Sequence, residues 1–306
     1  MIFETNLRGA GVFGDEPLVN SGPGTVGEYN GATGTFDPSL VSGLNMPQAI
    51  AVAGDNIFVV NSVGGKFGQS IGEYNAVTGV SINDHLISGL QGRVGVVAFG
   101  DILFVTSSAT HRIDEYNATT GTLTQSGFVK GLKLKGPAEL AVAGGNLFVV
   151  NSSTAGKNGE SIGEYDATTG ATVNSSLVTE LHGRVDIAVS GTSLFVASSA
   201  THRIDEYDTT TGMLVAELVK GLHGPTDIAV FGGDLFVTDV PNQSIDTFNA
   251  TTGMSEGTVL TKLHGPQGIT IVPVSGSVTD TSYSWLLLLL GLIVTFGLKV
   301  IVRQPA

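Results

Sequence analysis

Three carboxylates recur at one position of a repeating segment: Glu139 in AELAV, Asp186 in VDIAV and Asp227 in TDIAV. Oxygen ligands of this kind suit a hard cation such as Ca2+ or Mg2+. The aligned positions in the other copies are Ala49, Gly95 and Gly268, so the acidic side chains fall in three successive units. At the start of a strand the same side chains could instead cap backbone N–H groups or face water. Asn61, Asn151 and Asp239, at the ends of second strands, could add ligands or equally cap loops. The histidines form two ladders. His182, His223 and His264 recur in L-H-G, and His111 and His202 in T-H-R. A histidine titrates near neutral pH and can act as general acid or base, which makes His182, His223 and His264 the candidates for catalysis. Recurrence at one repeat position is also what a loop residue with a purely structural role would show. There is no phosphate-binding glycine loop and no nucleophile elbow. The single tryptophan lies near the C-terminus, so a tryptophan set for a quinone cofactor is absent.

The elements that must position these residues follow from a marker that occurs six times: VGEYNGATG at 26–34, IGEYNAVTG at 71–79, IDEYNATTG at 113–121, IGEYDATTG at 162–170, IDEYDTTTG at 204–212 and IDTFNATTG at 245–253. The spacing of 41 to 49 residues implies a stack of like units, none able to bury its apolar face alone. Within the unit around Asp227, Asp227 to Val230 reads as a first strand, and Phe231 to Asp234 as a turn. Leu235 to Thr238 is a second strand, Ser244 to Phe248 alternates as a third, and Thr258 to Thr261 forms a fourth. Asn249 to Gly253 is the hairpin between the last two. The recurring Glu28, Glu73, Glu115, Glu164 and Glu206 belong to third strands and are expected to be architectural. Residues 61–121 and 151–212 match closely, with SSATHRIDEY at 107–116 and again at 198–207, as a duplication of paired units would produce.

The expected fold is therefore all-β: a six-bladed β-propeller of four-stranded antiparallel blades over residues 18–272. The first unit lacks a recognisable first strand, and HGPQGITIV at 264–272 lacks a unit of its own. Gly268 to Ile271 is expected to pair with residues 18–30 as the innermost strand that closes the ring. Loops between strands two and three, and from strand four to the next strand one, share a face and carry the varied residues. The opposite face carries only the repetitive turns.

The bulk composition agrees. The 43 glycines and 13% charged residues suit short strands and tight turns, and the net charge of −13 excludes a nucleic-acid footprint. With no cysteine, disulfides and thiolate metal sites are excluded.

GPTDIAVFGGDLFVTDVPNQSIDTFN and GNLFVVN at 145–151 resemble NHL-type repeats, and the likeness extends over about 18–272. The wider superfamily resembled includes gluconolactonase-like and streptogramin-lyase-like propellers. NHL-type members mostly bind partners, whereas the other two include metal-dependent enzymes. The resemblance carries the fold and leaves the activity open.

From Tyr283 the chain turns apolar, YSWLLLLLGLIVTFGLKVIVRQPA, and Trp285 to Leu298 contains no charge. The expectation is a transmembrane helix over 285–302, with Trp285, Leu286, Leu290 and Leu298 in lipid and Lys299 and Arg303 at the far interface. Before it lies Val272-Pro273-Val274-Ser275-Gly276. With the apolar span and basic end, the arrangement resembles the VPDSG/PEP-type C-terminal sorting signals that an exosortase-type protease processes. Val274 departs from the aspartate of that pattern. Residues 273–284 would then form sorting motif and linker, and 303–306 a basic cytoplasmic tail. The positive-inside rule places the propeller outside the cytoplasm, in the cell envelope. Residues 1–17, MIFETNLRGAGVFG onward, contain no apolar signal region and echo an eroded repeat. Either the start lies upstream, or the propeller is cytoplasmic and tail-anchored. Two functions follow: a binding module for a protein or glycan ligand acting through its loop-rich face, or a divalent-metal lyase or hydrolase at the channel mouth.

Overall fold

The computed structural model describes residues 24–30, 35–45, 47–62, 69–92, 94–130, 132, 139–151, 160–183, 185–263, 268–273 and 298–304. Two strands open the chain, β1 (Gly24–Asn30) and β2 (Thr35–Leu44). Five four-stranded blades follow, each of consecutive antiparallel strands. The first comprises β3 to β6 (Pro47–Ala53, Asn56–Ser62, Gln69–Asn75, Ser81–Leu90) and the second β7 to β10 (Val96–Phe99, Ile102–Ser107, Arg112–Asn117, Leu123–Lys130). The third is β11 to β14 (Leu140–Ala143, Asn146–Asn151, Glu160–Asp166, Thr172–Leu181) and the fourth β15 to β18 (Val185–Ser190, Ser193–Ser198, Arg203–Asp208, Leu214–Lys220). The fifth is β19 to β22 (Pro225–Phe231, Asp234–Asp239, Ser244–Asn249, Ser255–Leu260). The last strands are β23 (Gly268–Pro273) and β24 (Leu298–Gln304).

Second strands are apolar without alternation because both of their faces are covered. Leu147, Phe148, Val149 and Val150 are all at most 2% exposed, and each successive pair of blades sandwiches such a strand. Outer strands show the opposite habit, with an exposed first half and a buried second half. Their pairing with third strands shifts register in every blade, and these bulges twist the outer edge.

The marker turns are held by their own first residue. Asn117 Oδ1 accepts from the N–H groups of Thr119 and Thr120 at 3.1 and 2.8 Å, and Asn249 repeats the pattern. The closing glycine does more than turn the chain. At Gly170 (φ 70°) an added Cβ would collide with the carbonyl of Phe128, and at Gly253 (φ 67°) with that of Leu218. Each lies on the preceding blade's outer strand, so the marker is an inter-blade contact as well as a hairpin.

The expected six-bladed propeller with a C-terminal transmembrane helix is not what forms: five blades of consecutive strands stand beside one composite sheet. The first marker copy supplies β1 and β2 to a composite sheet in the order β2-β1-β24-β23, drawn from both ends of the chain. Gly268–Pro273 is an innermost strand, lying against β19 and β3. Its hydrogen-bonded neighbour is β24, not residues 18–30: Gly268 faces Arg303, and Pro273 faces Leu298. On its other edge β24 pairs with β1, Val26 opposite Arg303 and Asn30 opposite Lys299. The expected helix over 285–302 is thereby overturned at its C-terminal end, and no helix among the described residues is long and apolar enough to cross a membrane. The physical reason is that Val300-Ile301-Val302 is β-branched and meets two strand edges that would otherwise lack partners. Composite and consecutive sheets then share cores: Ile269 and Tyr29 pack with Phe236 on one side, and Val26 and Val41 with Val59 on the other.

Candidate functional site at the channel mouth

Asp186 and Asp227 lie near the starts of the adjacent innermost strands β15 and β19, opposite Ala197 and Thr238. Asp186 is 6% exposed. The Ile228 N–H donates to Asp186 Oδ2 at 2.6 Å and also to Asp227 Oδ1 at 2.9 Å. The Ile269 N–H on β23 donates to Asp227 Oδ2 at 2.8 Å. Each aspartate thus reaches the inner strand of the next blade, and one amide joins both carboxyls. Burial pushes the Asp186 carboxyl well above the usual aspartate range. The Asp227 charge, a carboxyl–carboxyl hydrogen bond to Asp227 and the charge of Glu139 add to that, against the Ile228 N–H. The structure therefore brings the three expected carboxylates into one electrostatic neighbourhood.

These carboxylates are engaged by the backbone. Asp227 commits both oxygens to backbone amides and Asp186 commits Oδ2. Among the described residues no group of three or more His, Asp or Glu side chains is placed to hold a metal ion. In the second blade the Gly95 N–H is held from within its own blade: Thr106 Oγ1 accepts from it at 2.7 Å. Capping of backbone amides is the observed role of Asp186 and Asp227. Sequence reasoning missed Thr106 because it lies on the second strand and not at the aligned position.

The ends of second strands hold loops. Asn61 Oδ1 accepts from the Asn45 N–H at 2.6 Å, and the Asn151 carboxamide bonds the Tyr165 hydroxyl, whose pKa burial raises. Ser198, in the same place, donates to the His182 carbonyl at 2.7 Å. Asp239, 1% exposed, accepts from the His223 N–H at 3.3 Å and from Asn242 Nδ2 at 3.0 Å.

The histidines are not assembled into a catalytic set. His111 and His202 are exposed turn residues with φ of 53° and 56°, and Gln243 takes the same conformation at 54° in the next blade. The backbone shape, not the imidazole, is what the position requires. His182 and His223 are exposed, and His223 Nδ1 lies 3.1 Å from Asn242 Nδ2 and 3.8 Å from Asp239 Oδ2. His264 lies outside the described residues, as do Val274, Ser275, Gly276, Trp285, Leu286 and Leu290. Val272 and Pro273 fall in β23, and Leu298, Lys299 and Arg303 in β24. Of the recurring glutamates, Glu73 and Glu164 are buried and bonded by Asn56 and Asn146, with pKa values raised by that burial.

One surface feature was missed. Val80, Met213 and Met254 directly follow the marker glycines and are 63 to 69% exposed, with Val77, Ile82 and Val215 nearby in the chain. They occupy the end of the molecule bearing the repetitive turns. The available signal was an apolar residue where the turn invites a polar one.

These strands and sheets define a β-propeller. No family model matches the sequence, and no curated protein matches it. Among solved structures, the chain is similar to one in the crystal structure of a nidogen/laminin complex, with 17% identity and a TM-score of 0.57, over 69% of this chain and 79% of that one. It also matches the computationally designed Ika8 protein (15% identity, TM-score 0.49, 73% and 64% covered). A third match is BamB from Moraxella catarrhalis (15% identity, TM-score 0.44, 83% and 68% covered).

Proposed function

We propose that this β-propeller is an interaction module that binds a protein or glycan through the face bearing the loops between second and third strands. The observation that carries this reading is the use of Asp186 and Asp227 as backbone caps, a structural role for the residues that a metal-dependent lyase or hydrolase would use as ligands. The β-propeller fold is consistent with such a module, and the exposed His182, His223 and Asn242 belong to the proposed surface. A second reading is favoured by the exposed Val80, Met213 and Met254, which would make the opposite rim the docking surface.

The purified chain is probed on a glycan array and by cross-linking to an envelope extract. The tests are repeated with the triple variant His182→Ala, His223→Ala, Asn242→Ala and with the triple variant Val80→Ser, Met213→Ser, Met254→Ser. Loss of binding in the first variant alone supports the loop face. Loss in the second alone moves the site to the opposite rim. EDTA-sensitive turnover of a lactone or glycan would overturn the module reading.

A further inference from the structure

The Asp186–Asp227 pair spans three inner strands. From β15, Asp186 reaches the amide of Ile228 on β19; from β19, Asp227 reaches the amide of Ile269 on β23. β23 belongs to the composite sheet that closes the ring, so the relay ends on the closing strand. A single N–H between two carboxyl oxygens can neutralise only part of two negative charges, and a proton held between the carboxyls removes the excess.

We propose that Asp186 holds a proton that faces Asp227, forming a pH-sensitive latch that couples the fourth blade to the fifth and to the closing strand β23. The described groups that act on Asp186 are acidic or backbone amides. Asp227 comes from β19 and Glu139 from the residue before β11, both acidic. Along β16, Ser193–Ser198 carries no titratable side chain, nor does Gly268–Pro273 on β23, while β20 carries only Asp234 and Asp239 at its ends. Among the described residues no cation acts on Asp186. When the proton leaves to solvent, the buried Asp186 carboxylate and its half-buried neighbour Asp227 repel. Because the Asp186 pKa is raised on folding, its contribution to stability is complete below the ordinary aspartate value and lost as pH rises through the raised one. Alkalinisation therefore loosens β23 rather than tightening it.

The test is the melting temperature of the full chain from about pH 4 to about pH 9, for wild type, Asp186→Asn and Asp227→Asn. Asparagine at 186 keeps an acceptor for Ile228 and a donor toward Asp227 at every pH. The expected result is a decline toward high pH in the wild type that Asp186→Asn flattens. Hydrogen-exchange protection of the Ile269 amide, corrected for intrinsic rates, should fall with pH in wild type only. Parallel melting profiles would overturn the latch. Should Asp186→Asn not fold, the wild type is titrated by 13C NMR of its aspartate carboxyls. One carboxyl titrating above the ordinary range, in step with the Ile228 and Ile269 amides, supports the latch. None doing so refutes it.

Discussion

Asp166 and Asp208 stand in marker turns where Asn75, Asn117 and Asn249 stand in other copies. Asp166 Oδ1 accepts from the Thr168 and Thr169 N–H groups at 3.0 and 2.7 Å and from the Thr169 hydroxyl at 2.8 Å. The side-chain bond to Thr169 holds the carboxyl below its usual range, followed by the backbone bonds, and Asp208 is lowered in the same way by Thr211. A lowered pKa contributes stability above the unfolded value and loses it as pH falls through the folded one. The double variant Asp166→Asn, Asp208→Asn should therefore keep its neutral melting temperature and flatten the acid limb below about pH 4, as followed by circular dichroism. An acid limb as steep as wild type would contradict this. The sign is opposite to that at Asp186, although both are aspartates accepting from backbone amides; burial beside like charge makes the difference. The turn role of these residues was legible because donors and acceptor lie within three positions of one another. The partner of Asp186 is 42 residues away, so the sequence offered capping and metal binding alike.

At the scale of elements, the closing glycine of the marker separates backbone strain from steric contact. Gly144 (φ 59°) has nothing within 4 Å of an added Cβ, whereas Gly170 (φ 70°) faces the Phe128 carbonyl of the neighbouring blade. Gly144→Ala is expected to cost about 1–2 kcal/mol from the left-handed backbone alone. Gly170→Ala should cost clearly more, because the blade interface must also shift. Denaturant midpoints of both variants check this, and equal losses would remove the interface role. In the same blade, Phe148→Ala, a fully buried second-strand ring, should cost about 3–5 kcal/mol. The four-strand order and the positions of the strands were readable from the marker and the apolar runs. The glycine's second role was not, since it meets a backbone carbonyl on the preceding blade's outer strand, as Gly170 meets that of Phe128, and side-chain pattern does not report such a contact.

The whole molecule depends on the composite sheet. Deleting Leu298–Gln304 leaves one edge of β1 and one edge of β23 without hydrogen-bonded partners. The truncated chain is expected to melt at lower temperature and to form concentration-dependent aggregates, measured by scanning fluorimetry and light scattering. An unchanged melting temperature would show that β24 contributes nothing to the ring. Here the sequence misled for a physical reason. A short apolar stretch is compatible with a strand or with the end of a membrane helix, and hydropathy alone does not choose between them. The choice is made by unpaired edges that the rest of the chain creates.

The pairing of β1 with β24 also sets a timetable. Val26 meets Arg303 across nearly the full length of the chain, so five blades can stack in order as the polypeptide leaves the ribosome, while the ring stays open until Leu298–Gln304 has been synthesised. Closing so long a loop adds little to equilibrium stability cost but slows folding. During that interval the nascent protein exposes two strand edges, and that is when a chaperone would be most needed.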